Sequence, residues 1–267
     1  MSRISELSDE EKIEFASRKD LKIEEMRELC QEENPDVRVA LAQNPTCAKE
    51  ILAELGADKD LTVRLFVVRN ENTPETALAQ LAKDEFPAIR REVAASPRAS
   101  AELLLELSQD SHEEVVLRCA LNKNCPTYVL SQLSEHQSPF IRQAVAAHPN
   151  VSPQILEDLS RDTNLSVQKA VFKNPSCPES ALKYGLKYGK QPIVETILQR
   201  DKLPLSIVEE GLKGYSRDRV QLWLSNIHKK SSKNLDSKDL SKSSLVNNST
   251  QSKIGINKSS SFKDIGR

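Results

Sequence analysis

Glycine and aromatic side chains are scarce in this chain: its 267 residues include seven Gly and one Trp, and aromatics make up 4%. That is little material for a compact globule around a single large core, whereas abundant Ala, Leu, Val and Glu suit short, closely packed helices. No stretch approaches the roughly 20 apolar residues that cross a bilayer. Residues 1–20 are charged throughout, without the apolar run of a secretory signal. The chain is therefore expected to be soluble and cytoplasmic, with no membrane partner. It also lacks a Gly-rich phosphate loop, a Gly-x-Ser-x-Gly elbow and a His-Glu-x-x-His helix. Catalysis has no visible seat, and the expectation is a protein that is not an enzyme.

A formal net charge of −1 conceals a division along the chain. From Lys229 onward nine basic residues face three acidic ones, and the rest carries 29 basic against 36 acidic residues. An acidic body thus bears a basic tail. Such a body gives no general reason to seek DNA, because non-specific affinity comes from neutralising phosphates.

What the sequence does have is an uninterrupted period of 26 residues. Val37, Val63, Ile89, Val115, Ile141 and Val167 recur at that spacing, and four residues after each come Leu41, Val67, Val93, Cys119, Val145 and Val171. A second pair of columns holds Leu52, Leu78, Leu104, Leu130, Leu156 and Leu182, then Leu55, Leu81, Leu107, Leu133 and Leu159. Each unit reads as two short amphipathic helices. Between them lies the column Asn44, Asn70, Ser96, Asn122, His148 and Asn174, at or near Pro. Asn tolerates the left-handed backbone that ends a helix, and a residue before Pro is pushed out of helical geometry. Helices this short are unstable alone, so each unit must bury its apolar face against its neighbours.

These columns define the expected domains. Residues 1–32 form an N-terminal helical cap, in which Met26 and Leu29 keep the two Leu columns. Residues 33–188 form six regular repeats. Residues 189–230 form a degenerate repeat and C-terminal cap, with Ile193 and Ile197 in register and Trp223, Leu224 and Asn226 in a last half-unit. In residues 231–267 the period vanishes and eleven Ser accompany Lys and Asn. Such a composition is expected to stay disordered, although Ser261 to Ile265 has the character of a short docking motif.

Residues 84–97, with their acid, the Pro near the start, Ile89-Arg90, Val93-Ala94 and Ser96-Pro97, resemble one unit of the leucine-rich repeat variant family, as do residues 164–175. The resemblance covers roughly residues 30–188. It implies an all-α, right-handed superhelical solenoid of about seven to eight two-helix repeats, related in style to HEAT and armadillo arrays. This chain departs from the family in its longer unit, which leaves room for a full α-helix in the second position. A founding member carries an iron–sulfur cluster in a Cys-rich segment before its repeats. Here only Cys30 precedes Val37, so no cofactor is carried over.

Column position also sorts the reactive side chains. Cys47, Cys125 and Cys177 share a column with Thr73, Ala99 and Val151, Cys119 sits in a Val column, and Cys30 aligns with Gly56, Ala82, Ser108, Ser134 and Ser160. All are sites for small or apolar residues, and no Cys-x-x-Cys spacing exists, so buried reduced thiols are expected rather than a metal site. His112, His136, His148 and His228 show no metal-ligand spacing. The acids Glu32, Asp58, Asp84, Asp110 and Asp162 recur in register, followed six residues later by Arg38, Arg64, Arg90, Val116, Arg142 and Gln168. That pattern resembles the acid–Arg ladders bracing HEAT arrays. The Asp is expected to cap the following helix while accepting from a neighbouring Arg.

Candidate binding residues lie on the outer side of the first helices, two and six positions after each Val/Ile. They are Leu65, Arg69, Arg91, Leu117, Leu121, Gln143, Lys169 and Lys173, with the leucines as apolar anchors and the bases selecting an acidic partner. The second helices present Glu50, Glu54, Glu75, Glu102, Glu106, Glu157, Asp158 and Glu179 instead. The expected function is a scaffold or adaptor that holds another protein. The alternatives are a HEAT-like nucleic-acid-binding module and an accessory subunit for enzyme or cofactor maturation.

Overall fold

The computed structural model describes residues 4–200, 203–211, 213 and 215. Among these residues there are sixteen α-helices and no strand, and none of the helices is long and apolar enough to cross a membrane. The half-unit around Trp223, Leu224 and Asn226, the tail 231–267 and its Ser261 to Ile265 segment, and His228 lie outside the described residues. The chain divides into two compact units, residues 1–152 and 153–267.

In the N-terminal unit the first helices of successive repeats are α1 (Asp9–Ala16), α3 (Pro35–Gln43), α5 (Leu61–Arg69), α7 (Pro87–Ala95), α9 (Glu113–Leu121) and α11 (Pro139–Ala147). The second helices are α2 (Ile23–Cys30), α4 (Lys49–Leu55), α6 (Glu75–Leu81), α8 (Ala101–Leu107) and α10 (Thr127–Leu133). Odd-numbered helices pack on odd-numbered ones, α3 on α5, α5 on α7, α7 on α9 and α9 on α11, and each also packs on the second helix beside it. The result is two ranks of parallel-running repeats with one shared core. The second helices are α-helical over seven residues, as the long unit implies. The C-terminal unit continues the pattern with α12 (Pro153–Leu159), α13 (Leu165–Lys173), α14 (Glu179–Tyr188), α15 (Gln191–Leu198) and α16 (Leu205–Gly211). There α13 packs on α15, α12 on α14 and α14 on α16.

The apolar columns make this core. Val37, Val63, Ile89, Val115, Ile141 and Val167 are fully buried, as are Leu52, Leu104, Leu130 and Leu156. Each such side chain contributes about 1.5–3 kcal/mol by leaving water, and it can do so only because the adjacent repeat covers it. Most first helices start at an Asn or Asp that accepts backbone N–H groups, as Asp60 does from Thr62 and Val63, or at a Pro, as with Pro35, Pro87 and Pro139; α1 is capped by Ser8, and α9 begins after His112 without a side-chain cap.

The break between the helices meets one half of the expectation and not the other: Asn44, Ser96, His148 and Asn174, each before a Pro, leave helical geometry as expected. Asn44, Asn70, Ser96, Asn122, His148 and Asn174 all have extended backbone with φ between −65° and −73°, not left-handed backbone. Their residue type answers to a different need. Asn70 Nδ2 donates to Ala42 O (2.7 Å) and Asn44 O (2.8 Å) of the preceding repeat, while its Oδ1 accepts from Asn72 N (2.9 Å). Asn44 does the same toward Ala16 O and Arg18 O, and Asn122 toward Ala94 O and Ser96 O. A buried amide is selected because it has two donors and an acceptor, and it closes carbonyls that helix ends leave open. Ser96 is too short to span the repeats, and Arg98 donates to Asn70 O (2.8 Å) instead. In the C-terminal unit Arg200, one period after Asn174, reaches Phe172 O (2.6 Å) and Asn174 O (2.9 Å).

Candidate functional site

The acid–Arg columns form a second ladder. Arg38, Arg64 and Arg90 each grip the Asp twenty residues on with two hydrogen bonds, Arg64 Nε and Nη2 meeting Asp84 Oδ2 and Oδ1 at 2.6 and 3.1 Å. Through Nη1 each also donates to the carbonyl six residues before it, as Arg64 does to Asp58 O (2.7 Å). One guanidinium thus joins its own repeat to the next. Lys12, one period before Arg38, fills the same place opposite Glu32 (2.8 Å). The Asp does not cap the following helix. Asp58 Oδ1 accepts from Asp60 N, and Asp60 is the residue that caps α5. The fork is planar and bidentate and both partners are buried, so this row braces the fold.

The ladder makes stability depend on acid. Hydrogen bonds from Arg90 hold the Asp110 carboxyl below its usual range, against the opposing effect of burial, with the His112 N–H assisting. A depressed folded value means that this stabilisation is complete above the unfolded value of about 3.9 and is lost as pH falls through the folded one. Melting temperatures at pH 5 and pH 3 are expected to differ less in Arg90→Ala than in the wild type; equal differences would remove Asp110 from the acid response.

The five cysteines are buried and unpaired. Desolvation pushes Cys30, Cys47, Cys119 and Cys177 up to about 12 and Cys125 up to about 11, so thiolate is scarce at neutral pH. The native protein at pH 8 is expected to leave these thiols unreacted with a disulfide reagent over minutes, with all five titrating in denaturant; rapid native labelling of any one would contradict their burial. Among the described residues no group of His, Cys, Asp and Glu could hold a metal ion. His136 and His148 serve the turns instead, their Nδ1 atoms accepting from Ser138 N and Asn150 N (3.0 Å each).

The candidate ridge is less uniform than its sequence suggests. In the N-terminal unit Leu65 is half-buried and packs on the core, Leu117 is half-buried, and Leu121 is 52% exposed. Arg69 pairs with Glu92 (3.3 Å) and lies over the Phe66 ring, while Arg91 reaches Glu92 and Glu114 (3.6 Å each). Acids one position aside on the same and next helices therefore neutralise the two arginines, which a reading of every second and sixth position passes over. Gln143 is exposed on α11. In the C-terminal unit Lys169 is half-buried and Lys173 exposed on α13, and neither has an ion-pair partner among the described residues. The stacked first helices bring Leu65, Arg69, Arg91, Leu117, Leu121 and Gln143 onto neighbouring turns of one unit. The two lysines belong to the other.

Two ranks of short helices, locked in register by buried amide and guanidinium ladders, define a helical-repeat protein. More closely, the chain has the leucine-rich repeat variant fold. A solved structure described as a leucine-rich repeat variant with a novel repetitive protein structural motif superposes with a TM-score of 0.55 at 23% sequence identity, covering 67% of this chain and 71% of that one. At that identity the likeness is one of fold. No family model and no curated protein matches the chain.

Proposed function

We propose that the chain is a non-enzymatic scaffold or adaptor that holds another protein along the outer ridge of its first helices. The observation that supports this is a contrast between columns. Core, asparagine and arginine positions mostly repeat one residue type and one set of bonds, with Ser96, His148, Val116 and Gln168 as departures, whereas the ridge runs Leu65 and Arg69, Arg91 and Ala95, Leu117 and Leu121, Gln143 and Ala147, Lys169 and Lys173. Positions that change from repeat to repeat, rather than those that repeat to hold the fold, are where a repeat array encodes specificity. In the N-terminal unit Leu121 supplies an exposed apolar anchor, and in the C-terminal unit, taken by itself, the unpaired Lys169 and Lys173 favour an acidic surface or segment on a partner. The cytoplasm suits the five free thiols, which would stay reduced there.

A photo-crosslinking residue placed at Leu121 or Lys173 should yield discrete adducts in the native cell, while the same residue at Glu102 on α8 should not. Adducts of equal abundance at all three positions would sink the ridge. A nucleic-acid partner has one observation in its favour: residues 153–267 hold 20 basic and 12 acidic residues, against 18 and 27 in residues 1–152. That reading requires retention of DNA that falls steeply with salt.

A further inference from the structure

The arginine–aspartate ladder lacks the needed residue types at two of its register positions, Val116 with His136 and Gln168 with Tyr188. At the first, Val116 is buried and itself fills the space. The second is different. Gln168 Nε2 donates to Asp162 O (2.7 Å), reproducing the carbonyl contact of the ladder arginines, but Tyr188 stands where the aspartate would be and is 63% exposed. In intact rungs the carboxylate also accepts the N–H two residues on, as Asp84 does from Phe86; the corresponding residue here, Lys190, begins α15 with no acid two residues before it.

Two further columns change at the same place. The Leu column ending in Leu159 continues with Gly185, and the small column Ala42, Val68, Ala94, Ala120 and Ala146 continues with Phe172. The Phe172 ring is fully buried in the space the leucine would take: a Cβ on Gly185 would lie 2.5 Å from Phe172 Cζ and 2.6 Å from Ile197 Cδ1. Helix α14 runs on for ten residues instead of seven and so sets Tyr184 and Tyr188 one turn apart, their rings 5.1 Å between centroids. These changes leave a cavity of about 130 Å³ within the C-terminal unit, bounded by Gln168, Phe172, Tyr184, Tyr188, Lys190 and Ile193 among others. Among the described residues its lining contains one charged residue, Lys190, and no carboxylate. Two more cations stand at the tyrosines, Arg161 over the Tyr184 ring (5.1 Å), itself paired with Glu157 (3.5 Å), and Lys187 over the Tyr188 ring (5.0 Å). Apolar and aromatic walls, amide and hydroxyl groups and one lysine converge on one small space.

We propose that this cavity binds a small aromatic carboxylate, its ring between Phe172 and the tyrosines and its carboxylate beside Gln168 and Lys190, in place of the aspartate that completes the other rungs. The site is independent of the ridge. Benzoate titrated into the full chain should give saturable shifts of the Gln168 side-chain amide and the Lys190 backbone N–H in nitrogen-edited NMR spectra. Benzamide, the neutral isostere, should bind at least about tenfold more weakly, the scale of one charge-assisted hydrogen bond. Replacing Lys190 by Gln on the exposed rim should weaken benzoate by a similar factor without moving the melting temperature. Gln168→Arg combined with Tyr188→Asp should rebuild the rung, raise the melting temperature and abolish benzoate binding. No saturable shift at millimolar benzoate, an equal response to benzamide, or binding unchanged in Lys190→Gln would each overturn the proposal. The Lys190 variant decides it even if the double variant fails to fold.

Discussion

Replacing Arg64 by alanine is expected to destabilise the protein by about 3 kcal/mol, at the lower end of the cost of stranding one partner of a buried pair. Arg64 and Asp84 side chains are 9% and 7% exposed, so little water can replace the lost fork. Three bonds disappear at once: two to the Asp84 carboxylate and one to Asp58 O. In a unit of this size the loss corresponds to a fall of about 6–12 °C in melting temperature. Arg64→Lys should recover only part of it, because an ammonium cannot reproduce the planar two-bond geometry. Arg64→Ala with Asp84→Ala should cost less than the two single changes added together, since the second change removes the stranded charge. A shift below about 2 °C for Arg64→Ala would mean that the ladder does not brace the array.

Asn70→Ala is expected to cost about 2–4 kcal/mol, because it removes two buried hydrogen bonds to the preceding repeat and a third, part-buried one. Ala42 O loses its donor and Asn72 N its acceptor, while Asn44 O keeps only the Cys47 N–H (3.1 Å). Asn70→Asp is a sharper version of the same test. It keeps shape and acceptor but loses both donors, so at pH 7 a carboxylate would face two carbonyl oxygens. It should be at least as damaging as alanine when followed by urea unfolding at pH 7; near-wild-type stability would show that water supplies the missing donors.

The repeat was legible in the sequence because packing acts alike on every unit: a Val/Ile that must be buried against the next repeat returns every 26 residues, as do the Leu columns. The single chain served as its own alignment. Bond partners were less legible. The arginine row was visible, but that Arg64 reaches forward to Asp84 rather than back to the side chain of Asp58 depends on how the repeats stack, which spacing does not contain. The asparagine column is visible too, and the extended backbone before Pro follows from it, but the reason for the amide does not. A residue that ends a helix and one that bridges two repeats occupy the same position, and only φ near −65° to −73° with a doubly donating amide separates them. On the ridge, an outward sequence position was equated with exposure. Leu65 lies partly against the core, and Arg69 and Arg91 meet Glu92 and Glu114, because the side chains of stacked helices reach across to the next repeat. The changes at Gln168, Gly185 and Tyr188 could have been found by carrying three columns one period further. Their meeting around one cavity depends on the packing of α13, α14 and α15, which the columns do not contain.

The most direct test of the ridge as the binding face is a paired measurement on the wild type and on a variant carrying Leu121→Asp, Lys169→Glu and Lys173→Glu: partner recovered by affinity purification from the native cell, and melting temperature. The expected result is loss of the recovered partner with the melting temperature unchanged. Recovery that persists undiminished would contradict it and return the search to the acidic second helices.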